Sequence, residues 1–334
     1  MKHIAIGIDI NDSALNVVVL AETPEQPLIQ LKRHIALQEG LVKNGAVVKE
    51  QDLAAIISRE LEALSDAKQG TSYTIVGVAD NEVFPHLVDV PAQGNVVKWK
   101  QEAFRRAFSA VPFGPQELTA DLEDLGIEKK GKRALLFVAA RKQVIDGLDR
   151  AIRHAGLEPQ VFEMASVALA RALVPEAFQD KKNTVLLNIG LAFANIALFW
   201  EGSLRFAESL PLPKNGELSQ STLAMLAEHI ERAMQFSGVP FAQLVFTGDL
   251  AFEPALRTSL QNNFPRIPLR VGADNKEDMA IATARGLAMR GLEVDPTKRG
   301  MNLLPTKQEA SPPRVLAPIV FIYRRVLDIL GKNK

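Results

Sequence analysis

The chain has 334 residues, enough for two domains with substantial cores at roughly 100–200 residues per domain. Lysine plus arginine (39) equals aspartate plus glutamate (39), so bulk charge gives no reason to expect a nucleic-acid partner. There is no cysteine, which excludes disulfides and thiolate metal sites.

The opening stretch "IGIDINDSALNVVVLA" (residues 6–21) reads as a strand, a tight polar turn and a second strand. The first strand begins almost at Met1, which is read as leaving no room for a signal peptide. Residues 28–36 read as a third strand, and 48–64 as a helix with Leu53, Ile56, Ile57 and Leu61 on one face. "YTIVGV" (73–78) is a further strand. A second α/β unit follows. In it "FPHLVDV" (84–90) is a strand, and 97–111 a helix presenting Val97, Phe104, Ala107, Phe108 and Val111. "ALLFVAA" (134–140) reads as a buried strand, and 143–155 as an amphipathic helix closed by Gly156. A short strand at 161–163 and a helix at 165–173 lead out of this unit.

The polar run "QDKKN" (179–183) marks a boundary, and beyond it the opening theme recurs. A strand at 184–189, a turn at 190–195 and a strand at 196–200 come first. The turn Glu201-Gly202, a strand at 204–210 and a helix at 218–236 follow. Strand, turn, strand, turn, strand, helix thus occurs twice, at 2–64 and 184–236. A strand at 244–247, a helix at 252–263 and a closing helix at 277–290 complete the body. After Gly291 the chain turns polar and proline-rich, as a linker or tail does. The late apolar run 315–323 is broken by Pro318 and stopped by Arg324-Arg325, short of the ~20 apolar residues of a spanning helix. The five histidines (His3, His34, His86, His154, His229) have no metal-ligand spacing. Lys98, Lys100, Arg105 and Arg106 read as the solvated side of a helix.

Three stretches carry a resemblance. They are "RALLFVAARKQVIDGLDRAIRHAGLEPQVFEMASVALARAL" (133–173), "KWKQEAFRRAFSAVPFGPQEL" (98–118) and "LVFTGDLAFEPALRTSLQNNFPRIPLRV" (244–271). From residue 4 to about 291 the chain resembles the PilM family of type IV pilus assembly proteins. That family is related to the division protein FtsA and to the cytoplasmic part of the secretion protein GspL. The resemblance implies an α/β, actin-like (ribonuclease H-like duplicated) fold with an inserted FtsA/PilM-type α/β subdomain. It divides the chain into a first actin-like domain (1–81, 161–183 and the closing helix 277–291) and an inserted partner-binding subdomain (82–160). A second actin-like domain (184–276) and a tail (292–334) follow.

The same resemblance places a nucleotide between the two domains, and it is there that the chain departs from the family. The implied positions are Asp9, Asn11 and Ser13 on the first turn, Asn188 and Gly190 on the second, and Gly248 on the adenine side. Relatives have glycine after the first acid, where this chain has Asn11. In "LNIGLAFANIALF" (187–199), Asn188 stands where the family has an acid, and Leu191-Ala192-Phe193 where it has hydroxyl residues. Gly248-Asp249 replaces a Gly-Gly pair. From 210 to 237 strand passes directly to helix, so the second-domain helical subdomain that clamps adenosine is reduced.

Magnesium wants hard oxygen ligands, which Asp9 supplies directly or through water, with Asp12 as a substitute for a missing partner; Asn188 is a poorer ligand. Phosphoryl transfer rests on positioning and electrostatics. The expectation is therefore a kept fold with weakened ATP and Mg²⁺ binding, no hydrolysis, no assigned catalytic residue and no metal site beyond Asp9. The alternative readings are Asp9 as a cap of its own hairpin turn, Ser13 as a turn residue, and Gly190 and Gly248 as backbone requirements.

In the tail, "GMNLLPTKQEASPPR" (300–314) contains "NLLP", which resembles the cytoplasmic peptide at the start of PilN, the membrane partner that PilM-type proteins grip. A similar "NLL" precedes the membrane span of GspL. Asn302 offers both donor and acceptor, Leu303 and Leu304 supply apolar anchors, and Pro305 restricts the backbone. A linker with an incidental leucine pair is the alternative. Residues 316–330 read as a short amphipathic helix with Ile319, Ile322, Val326, Ile329 and Leu330 on one face.

The resemblance implies a cytoplasmic scaffold, peripheral at the inner face of the bacterial inner membrane through its partners. It would bind a PilN-like or GspL-like assembly protein without ATP hydrolysis, and homo-oligomerisation is left open. An ATP-binding switch of the same machine is the alternative, and a sugar-kinase-type enzyme is disfavoured because no base with a partner is evident.

Overall fold

β1 (Ile4–Ile10) and β2 (Ala14–Ala21) pair antiparallel from Ile4 opposite Ala21 to Ile10 opposite Leu15. Every residue of β2 is buried, as a strand covered on both faces requires. The computed structural model describes residues 3–62, 72–213, 217–298 and 300–304. Next to β2 lies β3 (Leu28–Ala36), and on the other side of β1 come β6 (Ser72–Val78) and β10 (Pro159–Met164), both parallel. The sheet order is β10-β6-β1-β2-β3.

The second half repeats this plan. β11 (Thr184–Ile189), β12 (Phe193–Trp200) and β13 (Ser203–Pro211) form an antiparallel meander. β14 (Gln243–Thr247) and β15 (Leu269–Val271) add in parallel, giving the order β13-β12-β11-β14-β15. Each sheet is thus three antiparallel strands followed outward by two parallel ones, so the duplication expected from sequence is present in the topology.

Between the halves of the first unit lies a three-stranded sheet with the order β7-β9-β8, made of β7 (Val83–Pro91), β8 (Leu118–Lys129) and β9 (Lys132–Arg141). α2 (Val96–Ala107) covers one face, and Val88, Val90, Ala103, Ala107, Leu135 and Phe137 form a separate core there. Asn95 caps this helix by accepting the Lys98 N–H at 3.1 Å. α3 (Lys142–His154) follows, and Gly156 in the left-handed conformation ends it.

α4 (Ala165–Leu173) has the bounds read from sequence. The other differences are local. The helix expected at 48–64 is α1 (Glu50–Leu61), preceded by a small hairpin of β4 (Val42–Lys43) and β5 (Ala46–Val47). The turn expected at 190–195 spans only 190–192, because Phe193, Ala194 and Asn195 pair with β13. β13 is followed by α6 (Gln220–Ser237), whose first turn Ser219 caps. The closing helix is two pieces, α8 (Lys276–Ala280) and α9 (Ala282–Gly291), with Ile281 between them. α5 (Glu176–Gln179) and α7 (Pro254–Asn263) complete the set. α9 crosses α4 at so short a distance that a Cβ on Gly286 would sit 1.8 Å from the Ala168 carbonyl. Pro305 and the helix expected at 316–330 lie outside the described residues. Among the described residues no helix is long and apolar enough to cross a membrane.

Candidate functional site

β10 and β8 are edge strands of their sheets, and residues 301–304 lie between them. The Leu303 N–H donates to the Phe162 carbonyl of β10 at 2.9 Å. Asn302 Oδ1 accepts the Phe162 N–H at 3.1 Å, and Asn302 Nδ2 donates to the Gln160 carbonyl at 3.0 Å. One side-chain amide therefore completes the edge of β10 as a neighbouring backbone would. The opposite wall is β8. There Thr119 Oγ1 donates to the Leu303 carbonyl at 3.1 Å, and Asp121 Oδ2 accepts the Asn302 N–H at 2.9 Å.

Local irregularities make this seat. The register of β10 shifts between Pro159 and Val161, which leaves Gln160 outside the regular ladder. Its side-chain carbonyl takes the Thr74 N–H at 2.6 Å, and its main-chain carbonyl takes Asn302. Met301 and Leu303 are buried at 2% and 1% exposure and join the main core, and the half-buried Leu304 packs on it.

Under the segment lies a buried ion network. Glu163 of β10 accepts from both arms of Arg171 and from Arg290 Nη1, each at 2.7 Å. Burial pushes the Glu163 carboxyl up, but the two guanidinium charges outweigh it and hold it below the usual carboxylate range. Arg290 also donates to the Met301 carbonyl at 2.7 Å, so one guanidinium ties β10 to the tail. The sequence reading named Asn302, Leu303 and Leu304. It missed Thr119, Asp121, Gln160, Glu163 and Arg290, which no local pattern distinguishes from ordinary strand and helix residues.

The positions implied for a nucleotide fall at the facing ends of the two sheets. Asp9 is the penultimate residue of β1 and accepts from Asn16 Nδ2 at 3.1 Å; Asn16 Oδ1 lies 2.7 Å from His34 Nδ1. The first turn is capped by Asn11, not by Asp9. Asn11 Oδ1 accepts the Ser13 and Ala14 N–H groups at 3.0 and 2.9 Å and the Ser13 hydroxyl at 2.9 Å. Asp12 is committed to the Asn44 and Gly45 N–H groups, at 2.7 and 2.8 Å.

In the second half, the Gly190 N–H closes its turn on the Phe193 carbonyl at 3.0 Å. The Asp249 carboxylate lies against the same turn and takes the Leu191 N–H. Gly248 sits at φ +98, with a would-be Cβ 2.4 Å from the Ile189 carbonyl and 2.5 Å from Asn188 Oδ1, so glycine is required there. Gly190 is different: a Cβ would meet only ordinary contacts at 3.6 Å, which removes the backbone reason for that glycine.

Asp9 is pushed up to about 6, by burial first, with the Asn16 hydrogen bond lowering it and the charge of Asp249 adding to the rise. Asp80, beside it, is also raised to about 6 by burial, although Ser166 donates to it through N–H and hydroxyl. A triphosphate needs free N–H donors and a field that welcomes negative charge. Here the Asn11, Ser13, Ala14, Gly190 and Leu191 N–H groups are taken by the chain's own oxygens, and three carboxylates share the space. The residues present do not fit Mg-ATP. Nearby, a cavity of about 290 Å³ is lined by residues from β7 and β13, among them Phe84, His86 and Glu208, and by Asp80 and Met164.

Two sheets of matching order, each a three-stranded meander with two parallel strands added, and a third sheet inserted within the first unit define an actin-like α/β fold. The family model of the type IV pilus assembly protein PilM matches residues 7–209, and the chain belongs to that family. A PilM–PilN type IV pilus biogenesis complex is similar in structure, with a TM-score of 0.71 at 20% identity over 86% of this chain and 98% of that one. The cytoplasmic domain of EpsL, an inner-membrane component of the Vibrio cholerae type II secretion system, has a TM-score of 0.50 at 9% identity, over 92% of this chain and 99% of that one. The chain is thus an actin-like member of a type IV pilus assembly family.

Proposed function

We propose that this protein is a scaffold of an inner-membrane assembly platform for a type IV pilus or a related type II secretion machine. It works on the cytoplasmic side and meets a PilN-like or GspL-like partner through the groove between β8 and β10. The observation that carries this reading is the Asn-Leu-Leu segment seated in that groove, where side chain and backbone are both recognised. Family membership supports the machine, and one structural neighbour is itself a PilM–PilN complex. In this reading the inserted subdomain (82–160) contributes one wall of the groove and the first actin-like domain the other. ATP hydrolysis has no part in it, since Asn11 and Asp249 occupy the turn donors. A nucleotide-driven switch has no comparable support.

The test is co-purification from a cell that carries the machine. Thr119→Val with Asp121→Ala should cut recovery of the inner-membrane partner at least about tenfold, whereas Asp9→Asn should leave it unchanged. Full recovery with the altered groove wall would sink the proposal.

A further inference from the structure

Residues 301–304 belong to the chain and also fill its groove. The groove offers few polar groups to a peptide: the Phe162 N–H and carbonyl, the Gln160 carbonyl, the Thr119 hydroxyl, the Asp121 carboxylate and the Arg290 guanidinium. All of them are used by Met301, Asn302 and Leu303. The Leu303 side chain is 1% exposed. No second peptide of this kind can enter while the first stays.

We infer that the chain's own Asn302-Leu303-Leu304 is a built-in competitor, so that the groove accepts an Asn-Leu-Leu peptide from another molecule only after this segment has left. The inference rests on the reading of the groove as a partner site and adds its regulation. Two features make the occupant a removable one. It is short, and only one of its bonds to β10 joins backbone to backbone, the Leu303–Phe162 pair. It is also tethered. Only residues 292–300 separate it from the end of α9 at Gly291, and Arg290 holds the Pro296 carbonyl along the way. A ligand on so short a tether has an effective concentration on the order of millimolar. An incoming peptide of micromolar intrinsic affinity is then weakened by roughly a hundred- to a thousandfold.

The experiment uses the full chain and a labelled synthetic peptide of residues 299–310, read by fluorescence anisotropy. The wild-type chain should bind it at least about a hundredfold more weakly than the full chain carrying Asn302→Ala and Leu303→Ala. Adding Thr119→Val and Asp121→Ala to that emptied background should abolish the gain. Equal affinity for wild type and double variant would overturn the inference while leaving the peptide-groove reading intact. Binding by neither would overturn both, as would a gain that survives the groove-wall substitutions. Should the double variant not fold, Asn302→Ala alone serves: it should show an intermediate gain, and no gain overturns the inference.

Discussion

Asn302 and Phe162 stand 140 residues apart in sequence, yet the side-chain carbonyl of one accepts the backbone N–H of the other at 3.1 Å. An amide on a tail thus finishes the parallel edge of a mixed sheet. Removing it leaves the Phe162 N–H and the Gln160 carbonyl without partners, each worth about 1–3 kcal/mol if they stay buried. Asn302→Ala should lower stability by roughly 1–3 kcal/mol in urea unfolding. Hydrogen exchange should accelerate selectively at the Phe162 and Leu303 amides and leave β11–β14 unchanged. Unaltered protection at both amides would contradict the contact.

Glu163→Gln strips the charge from a carboxylate that serves two arginines in a buried setting. Breaking such a cluster on one side costs about 3–5 kcal/mol, because it strands buried positive charge. The loss should be visible as a lower urea midpoint at constant slope. A change under about 1 kcal/mol would mean that the network is solvated in solution.

Asp9 carries a pH signature. Its folded-state pKa of about 6 lies above the ordinary value near 4. The folded protein therefore holds this proton more tightly than the unfolded chain, and its stabilising contribution is lost as pH rises from about 4 to about 6. Asp80 acts in the same window with the same sign. Asp9→Asn keeps an acceptor for Asn16 and removes the charge that faces Asp249. The variant should be more stable than wild type at pH 8, by on the order of 1–3 kcal/mol, and the gap should close as pH falls from about 6 to about 4. A stability difference independent of pH between 4 and 8 would refute this account.

The two turn glycines separate cleanly. Gly248→Ala forces a Cβ into the Ile189 carbonyl at a φ of +98, and should cost several kcal/mol or abolish folding. Gly190→Ala meets open contacts at 3.6 Å and should change Tm by only a few degrees. Equal costs would show that the second turn is not built as described.

Mg-ATP offers the plainest check on the cleft. A ligand at a hundred times its Kd raises stability by about 2.7 kcal/mol. No shift in Tm is expected at millimolar Mg-ATP. A rise that Asp9→Asn removes would show that phosphate displaces Asn11 or Asp249 from the turn donors.

The duplicated sheets were legible because "IGIDI" with "NVVVL", and "TVLLNI" with "NIALFW", each pair β-branched or apolar runs around a polar turn. α4 was legible to the residue, since an alanine-rich run ends at Val174-Pro175. β8 was not, because "LTADLEDLGIEK" is rich in acids and glycine, and its register shifts between Asp124 and Ile127. The tail motif could be read as a ligand, but its seat could not. That seat depends on a shifted register at Gln160 and on two strand edges brought together by tertiary folding. Asn11 as a turn cap follows from residue type alone; Asp249 reaching the other turn does not.

The inserted sheet is propped at its far side as well as at the groove. The open edge of β7 lies against β13, and Lys129 at the end of β8 reaches Glu201 of the second half at 2.5 Å. Any hinge that parted the two large lobes would have to drag this small sheet sideways and unseat it from β13. In the scaffold proposed for this protein, this contact would help to keep the spacing of the two lobes constant.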